Sequence, residues 1–158
     1  MVKIITIFFL SFILSFAAIP ALSEEPSPDL TQIAIDQQYQ QIEEINCMTE
    51  AMYFEARGEK HIGALAVAHV ILNRMKSGKF PETACGVIRQ KGQFTYKPTK
   101  RIHEAAVWFE LRMMAEKLLT AENKPMDPTS GALFFGTLTQ QFVCVKYQKR
   151  IIGNHRFC

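Results

Sequence analysis

The run Glu55-Ala56-Arg57-Gly58-Glu59 sets two carboxylates and a guanidinium around one glycine. Two carboxylates can share acid and base work on a glycosidic bond, or one can serve alone while the other carries structure. Arg57 can also ion-pair with either glutamate, which would make the stretch a salt-bridged helix end and nothing more. The preceding residues help to separate these readings. If residues 47–57 are helical, Met48, Ala51, Met52 and Glu55 recur at intervals of three and four, so Glu55 shares a face with apolar side chains. A carboxyl group there borders the core or the wall of a cleft. Burial disfavours its charged form, so its pKa is expected to rise toward that of an acid that donates a proton near neutral pH. Gly58 suits the left-handed position after a helix end, so Glu59 need not sit one helical turn beyond Glu55.

The elements that must position these groups follow from periodicity. Leu30, Ile33, Ile35, Tyr39, Ile42 and Ile45 are loosely spaced at helical intervals and predict a Gln-rich peripheral helix. Asn46 is a good N-cap, so a second helix is expected to start there and run to Gly58. The segment HIGALAVAHVILNRMK, His61 to Lys76, is apolar on almost every side and predicts the central core helix, buried from Ile62 to Ile71. Gly78 ends it, and a short helix through TACGVIRQ follows. Residues 91–100, KGQFTYKPTK, read as a surface loop, and Arg101 to about Asn123 as a long amphipathic helix. Beyond the breaker run NKPMDPTSG, the stretches ALFFGT, QFVCVKY and RIIGNHRF are short, aromatic and β-branched, which predicts two or three antiparallel strands. The expected fold class is therefore α+β and mainly helical, with a small antiparallel sheet.

The N-terminus bears on the compartment. Lys3 precedes an apolar run of about 16 residues, Ile4 to Ile19, then Pro20 and the small residues Ala21-Leu22-Ser23, the pattern of an export signal cut after Ser23. A retained membrane anchor is the alternative, since the run falls just short of the roughly 17–25 residues that span a bilayer. The organisation expected is a signal peptide over residues 1–23, a linker and peripheral helix over 24–46, and one domain over 47–158. A formal charge of +3, one less without Lys3, is too small to argue for a nucleic-acid partner. Four cysteines in an exported chain should be oxidised, and the pairing expected is Cys47 with Cys85 and Cys144 with Cys158. No CxxC or HxxxH spacing supports a zinc site built from these thiols and His155, so no metal or other cofactor is expected.

Taken in order, EARGE, a three-residue gap, Gly63, the helix ALAVAHVILNRMK, FPETACGVIRQ, QFTY and the terminal IGNHRF resemble the cell wall hydrolase family typified by the catalytic domain of spore cortex-lytic enzymes. The resemblance covers about residues 47–158. It implies a lysozyme-like or lytic-transglycosylase-like domain that cleaves peptidoglycan, with the catalytic glutamate on the first carboxylate of EARGE, Glu55. Glu59 is the nearest second carboxylate should a hydrolytic mechanism need one. The same resemblance makes Gln93, Phe94, Thr95 and Tyr96 substrate-binding residues, since loop aromatics and hydroxyls suit sugar stacking and hydrogen bonding; otherwise they form a small apolar cluster under the loop. His155 either lines the cleft or braces the sheet. Asn73 and Arg74 either touch substrate or compensate the end of their helix.

The chain departs from the spore enzymes in having no separate peptidoglycan-binding repeat, and its single Trp, Trp108, lies in a helix. Affinity must then come from the cleft alone or from an accessory envelope protein. The function expected is that of a monomeric exported or periplasmic enzyme acting on peptidoglycan glycan strands. An N-acetylmuramoyl-L-alanine amidase and a non-catalytic glycan-binding envelope protein are the alternatives.

Overall fold

One continuous helix, α1, runs from Leu30 to Glu55. The computed structural model describes residues 29–56, 58–94, 101–140 and 150–158. The expectations placed on residues 1–28, Arg57, Thr95, Tyr96, Cys144 and the QFVCVKY stretch fall outside the described residues. The helix break expected at Asn46 is absent. Asp29 caps the helix instead, its carboxylate accepting from the Thr31 amide at 2.9 Å, while Asn46 Oδ1 accepts from Arg112 Nη1 of the last helix. No glycine or proline interrupts residues 30–55, so nothing local stops the helix between these points. Its first half is exposed, with Tyr39 69% accessible, whereas Ile45, Met48, Ala51, Met52 and Tyr53 are buried.

That buried half packs against three further helices: α2 (His61–Lys76), α3 (Ala84–Ile88) and α4 (Ala105–Thr120). α2 has the bounds expected and is the central helix. Its buried stretch begins at Gly63 rather than at Ile62, which is 45% exposed at the first turn where nothing packs over it. α4 starts later than expected. The Tyr53 hydroxyl holds its entry, accepting from the His103 and Glu104 amides at 3.1 and 3.3 Å and donating to Glu104 Oε2 at 2.9 Å. The Cys47–Cys85 disulfide, with Cα atoms 5.2 Å apart, ties α1 to α3 as expected. Beside it Glu44 Oε2 accepts the Ala84 and Cys85 amides at the start of α3. Cys158 is disulfide-bonded as well.

The sheet contains β1 (Phe135–Thr137), β2 (Arg150–Ile152) and β3 (His155–Phe157), antiparallel in the order β1-β3-β2. Phe135 stands opposite Phe157, and Arg150 faces Phe157 from the other side. Phe157 and Ala132 pack on Ala66 and Val70 of α2, which makes a second small core.

Two polar attachments hold this sheet to the helices. At the end of α2, Asn73 Nδ2 donates to Asp127 Oδ2 at 3.0 Å and to the Ala132 carbonyl at 3.1 Å, and Arg74 Nε donates to the Leu133 carbonyl at 2.7 Å. At the start of α2, the Glu59 carboxylate, only 7% exposed, accepts from the Asn154 amide at 2.8 Å and lies 3.2 Å from His155 Nδ1. Both bonds fall on the β2–β3 turn. That turn needs glycine at 153, where φ is +57° and a Cβ would lie 1.7 Å from Glu59 Oε2.

Gly153→Ala should therefore destabilise the protein by about 2–3 kcal/mol, because Glu59 can make room only by giving up Asn154 and His155. Urea unfolding measures this, and a variant as stable as the wild type would remove the attachment from the account. A second expectation concerns pH. Burial by itself raises the Asp127 carboxyl, but hydrogen bonds from Thr129, Asn73 and Gly131 outweigh it and hold the pKa at about 2. Burial also pushes His69 below its usual 6.5, against the pull of Asp127 at 3.8 Å. Both groups are protonated more easily in the unfolded chain. Stability should thus fall first as pH drops through 6.5 and again between 3.8 and about 2. Asp127 is partly exposed, so its step should be about 1 kcal/mol. Unfolding free energies measured against pH should show the lower step in the wild type and lose it in Asp127→Asn.

Candidate active site

Glu55 is the last residue of α1, and the helical spacing from Met48 through Met52 brings it half-buried to the edge of the core. Met48, Ala51 and Met52 on the same face are fully buried. Ala56 closes the helix, its amide donating to the Met52 carbonyl at 3.1 Å. Gly58 then turns the chain with φ +85°, and the Glu59 amide bonds the Ala56 carbonyl at 2.9 Å. A Cβ at Gly58 would meet nothing within 4 Å, so it is the backbone angle that calls for glycine. The consequence is a division between the two carboxylates. Glu55 ends on the helix, and Glu59 is carried past the turn to the β2–β3 hairpin.

His155 belongs with Glu59. Its ring is 13% exposed, is held through Nδ1 at 3.2 Å, and stands edge-on to Phe135 with centroids 5.8 Å apart. This is the position of a sheet brace. The same Phe135 meets Phe94 at 6.1 Å and stacks on Phe157 at 5.8 Å. Phe94, Phe135, His155 and Glu59 therefore form one chain of contacts from the 91–94 turn to the start of α2. Gln93 begins that approach, its amide bonding the Gln90 carbonyl at 3.2 Å.

Arg74 sits behind this chain as a buried cation, 3% exposed, with its guanidinium 5.0 Å from the Phe80 centroid, 5.7 Å from Phe134 and 5.8 Å from Phe94. Burial lowers its pKa to about 10, still far above neutrality, so it stays charged inside an aromatic cage. The side chains of Asn73 and Arg74 thus bond the loop before β1 rather than the carbonyls of their own helix end. Phe94 is held in place by the same cage, as one wall of the apolar cluster rather than as a ring standing free in solvent.

Three residues that organise the site were not singled out in the sequence. Asp127 carries the Asx-type turn of DPTSG, a signal that was present in the composition. Tyr53 and Phe135 carry no local signal, since each is one aromatic residue among several in an apolar run. With Cys47 and Cys85 joined, neither thiol is available as a metal ligand. Among the described residues no group of three His, Cys, Asp or Glu side chains converges in a way that could hold a metal ion.

A cell wall hydrolase family profile matches residues 58–158, beginning three residues after Glu55. The spore cortex-lytic enzyme of Oceanobacillus iheyensis is 34% identical over 139 residues, which are 86% of this chain and 48% of that protein. The spore cortex-lytic enzyme of Bacillus cereus is 35% identical over 118 residues, 73% of this chain and 44% of that one. The chain thus spans about half the length of the curated relatives it matches. Among solved structures it resembles the catalytic domain of the Bacillus cereus SleB protein, with TM-score 0.57 and 33% identity over 73% of this chain and 88% of that one. It also resembles the catalytic domain of the germination-specific lytic transglycosylase SleB of Bacillus anthracis, with TM-score 0.56 and 31% identity over 73% and 93%. The family profile covers more than half of the chain, and the chain belongs to the cell wall hydrolase family.

Proposed function

We propose that this protein is an exported enzyme that cuts the glycan strand of peptidoglycan between N-acetylmuramic acid and N-acetylglucosamine, as a lytic transglycosylase with Glu55 as its single catalytic carboxylate. The observation that carries the reading is the commitment of Glu59. Its carboxylate is almost fully buried, and its Oε1 is held by both the Asn154 amide and His155 of the hairpin. A carboxylate held that way cannot activate a water or attack a sugar carbon without releasing the sheet. Glu55 stands half-buried at a helix end. That the Bacillus anthracis neighbour is titled a lytic transglycosylase adds support.

In this mechanism protonated Glu55 gives its proton to the glycosidic oxygen as the bond from that oxygen to muramic acid C1 breaks. Positive charge then builds on the muramic acid ring, and the Glu55 carboxylate left behind stabilises it. Glu55 next takes the proton of the 6-hydroxyl while O6 bonds to C1. A 1,6-anhydro end forms, no water is consumed, and Glu55 is protonated again. One carboxylate suffices for both steps. Export accords with the Cys47–Cys85 disulfide, since such bonds persist in oxidising compartments, and with the apolar segment near the N-terminus.

Mass analysis of the fragments released from purified peptidoglycan tests the reading. Anhydro ends are expected; reducing ends would indicate hydrolysis, and released peptides an amidase. Glu55→Gln should lower cleavage by roughly 100-fold or more without changing the melting temperature. Glu59→Gln should instead lower the melting temperature and leave most of the turnover of the folded protein. Full activity in folded Glu55→Gln would sink the assignment, and loss of turnover in both, with a reducing-end product, would establish a two-carboxylate hydrolase.

A further inference from the structure

A groove of about 530 Å³ runs beside α1, outside the residues discussed as catalytic. One wall is a single face of α1, on which Glu43, Asn46, Cys47 and Glu50 follow at helical spacing; the other is formed by Ile88 to Gly92 with Phe94. Two features set it apart from a solvated seam. First, its charges are unevenly matched. Glu43 is taken up by Arg89, with Nη2 to Oε1 at 2.6 Å, while Glu50 and Lys91 line the same groove and no ion pair engages either of them among the described residues. Burial raises the Glu50 pKa against the pull of Arg89, so this carboxylate is short of hydration. Second, the floor is apolar, lined by buried Ile88 and by Cys47, which the disulfide to Cys85 fixes in place. Gln90 adds a buried Oε1 without a hydrogen-bond partner in the same wall.

A carboxylate and an ammonium that share a groove without pairing, over an apolar floor, complement a short peptide that bears both charges and small aliphatic side chains. We propose that this groove is a subsite for the peptide stems that branch from muramic acid, with Glu50 receiving the stem's free ammonium and Lys91 its carboxylate. The proposal rests on the reading that Glu55 cleaves the glycan at that sugar. Phe94 supplies the continuity, because it belongs both to the groove and to the loop expected to meet the sugars.

The test is a titration of isotope-labelled full-length protein with free stem peptide released from peptidoglycan, followed through backbone amide shifts. Saturable shifts are expected at Asn46, Glu50, Gln90 and Gly92. Glu50→Gln and Lys91→Ala should each weaken the peptide by about 10-fold, the scale of one charge-assisted hydrogen bond. Lys91 is exposed and Glu50 makes no ion pair among the described residues, so neither melting temperature should fall below the wild type's. Wild-type enzyme should also cleave peptide-bearing strands with a higher kcat/KM than strands stripped of peptide, and Glu50→Gln should erase that preference through KM. Absence of groove shifts, equal affinity in all three proteins, or an unchanged preference in Glu50→Gln would overturn the subsite. Peptide binding that depends on Glu50 in a protein that leaves glycan uncut would uphold the subsite and sink the cleavage reading alone.

Discussion

The constraint on which the rest depends is the burial of the Glu59 carboxylate between the start of α2 and the β2–β3 turn. A carboxylate 7% exposed is tolerable only if its charge is met by donors, and the Asn154 amide and His155 supply them. The hairpin is short, and three-residue strands hold little by themselves. The Glu59 contact therefore does for the sheet what a larger hydrophobic interface would do elsewhere. It also forces the rest of the motif. Glycine is required at 153 so that the carboxylate can approach the backbone, and at 58 so that the chain can turn from the helix toward the hairpin.

The other end of α2 repeats the solution with different chemistry. Asn73 and Arg74 reach across to the Asp127–Leu133 loop, so the central helix grips the sheet at both of its ends. Arg74 is the more demanding of the two. Its guanidinium is desolvated, and three aromatic rings together with the Leu133 carbonyl offset part of the lost hydration, Nη1 being left without a hydrogen-bond partner among the described residues. Because Phe94 is one of those rings, the position of the 91–94 turn is coupled to the packing under β1.

α1 links these local arrangements to the proposed chemistry. Its buried half meets α2, α3 and α4, and the disulfide to Cys85 fixes the rotation of that half about its axis. Rotation is what decides which side of the helix end Glu55 occupies. The Tyr53 hydroxyl and Asn46, through Glu104 and Arg112, pin α4 to the same helix from the opposite side. The covalent and polar contacts along α1 therefore serve one geometric end, the placement of its last turn.

The sequence by itself determined the class of fold, the bounds of α2 and the antiparallel character of the C-terminal strands, and it favoured the Cys47–Cys85 pairing among three that four cysteines allow. Each of these rests on local periodicity, turn chemistry or a small number of alternatives. It also drew attention to Glu55, because a carboxylate in register with Met48 and Met52 is visible in spacing alone. What it could not decide was the partner of each polar group. Asn46 is an N-cap by composition and a helix-interior acceptor for Arg112 in the fold, because residues 66 positions apart in the chain come together. Asn73 and Arg74 look like helix-end residues and act as staples to a loop more than fifty residues away. Nothing local to Glu59 announces that its carboxylate meets a hairpin 95 residues downstream. Local sequence sets what a side chain is able to bond, while long-range packing selects which of those bonds is made; the bond between Glu59 and the hairpin is a decision of the second kind.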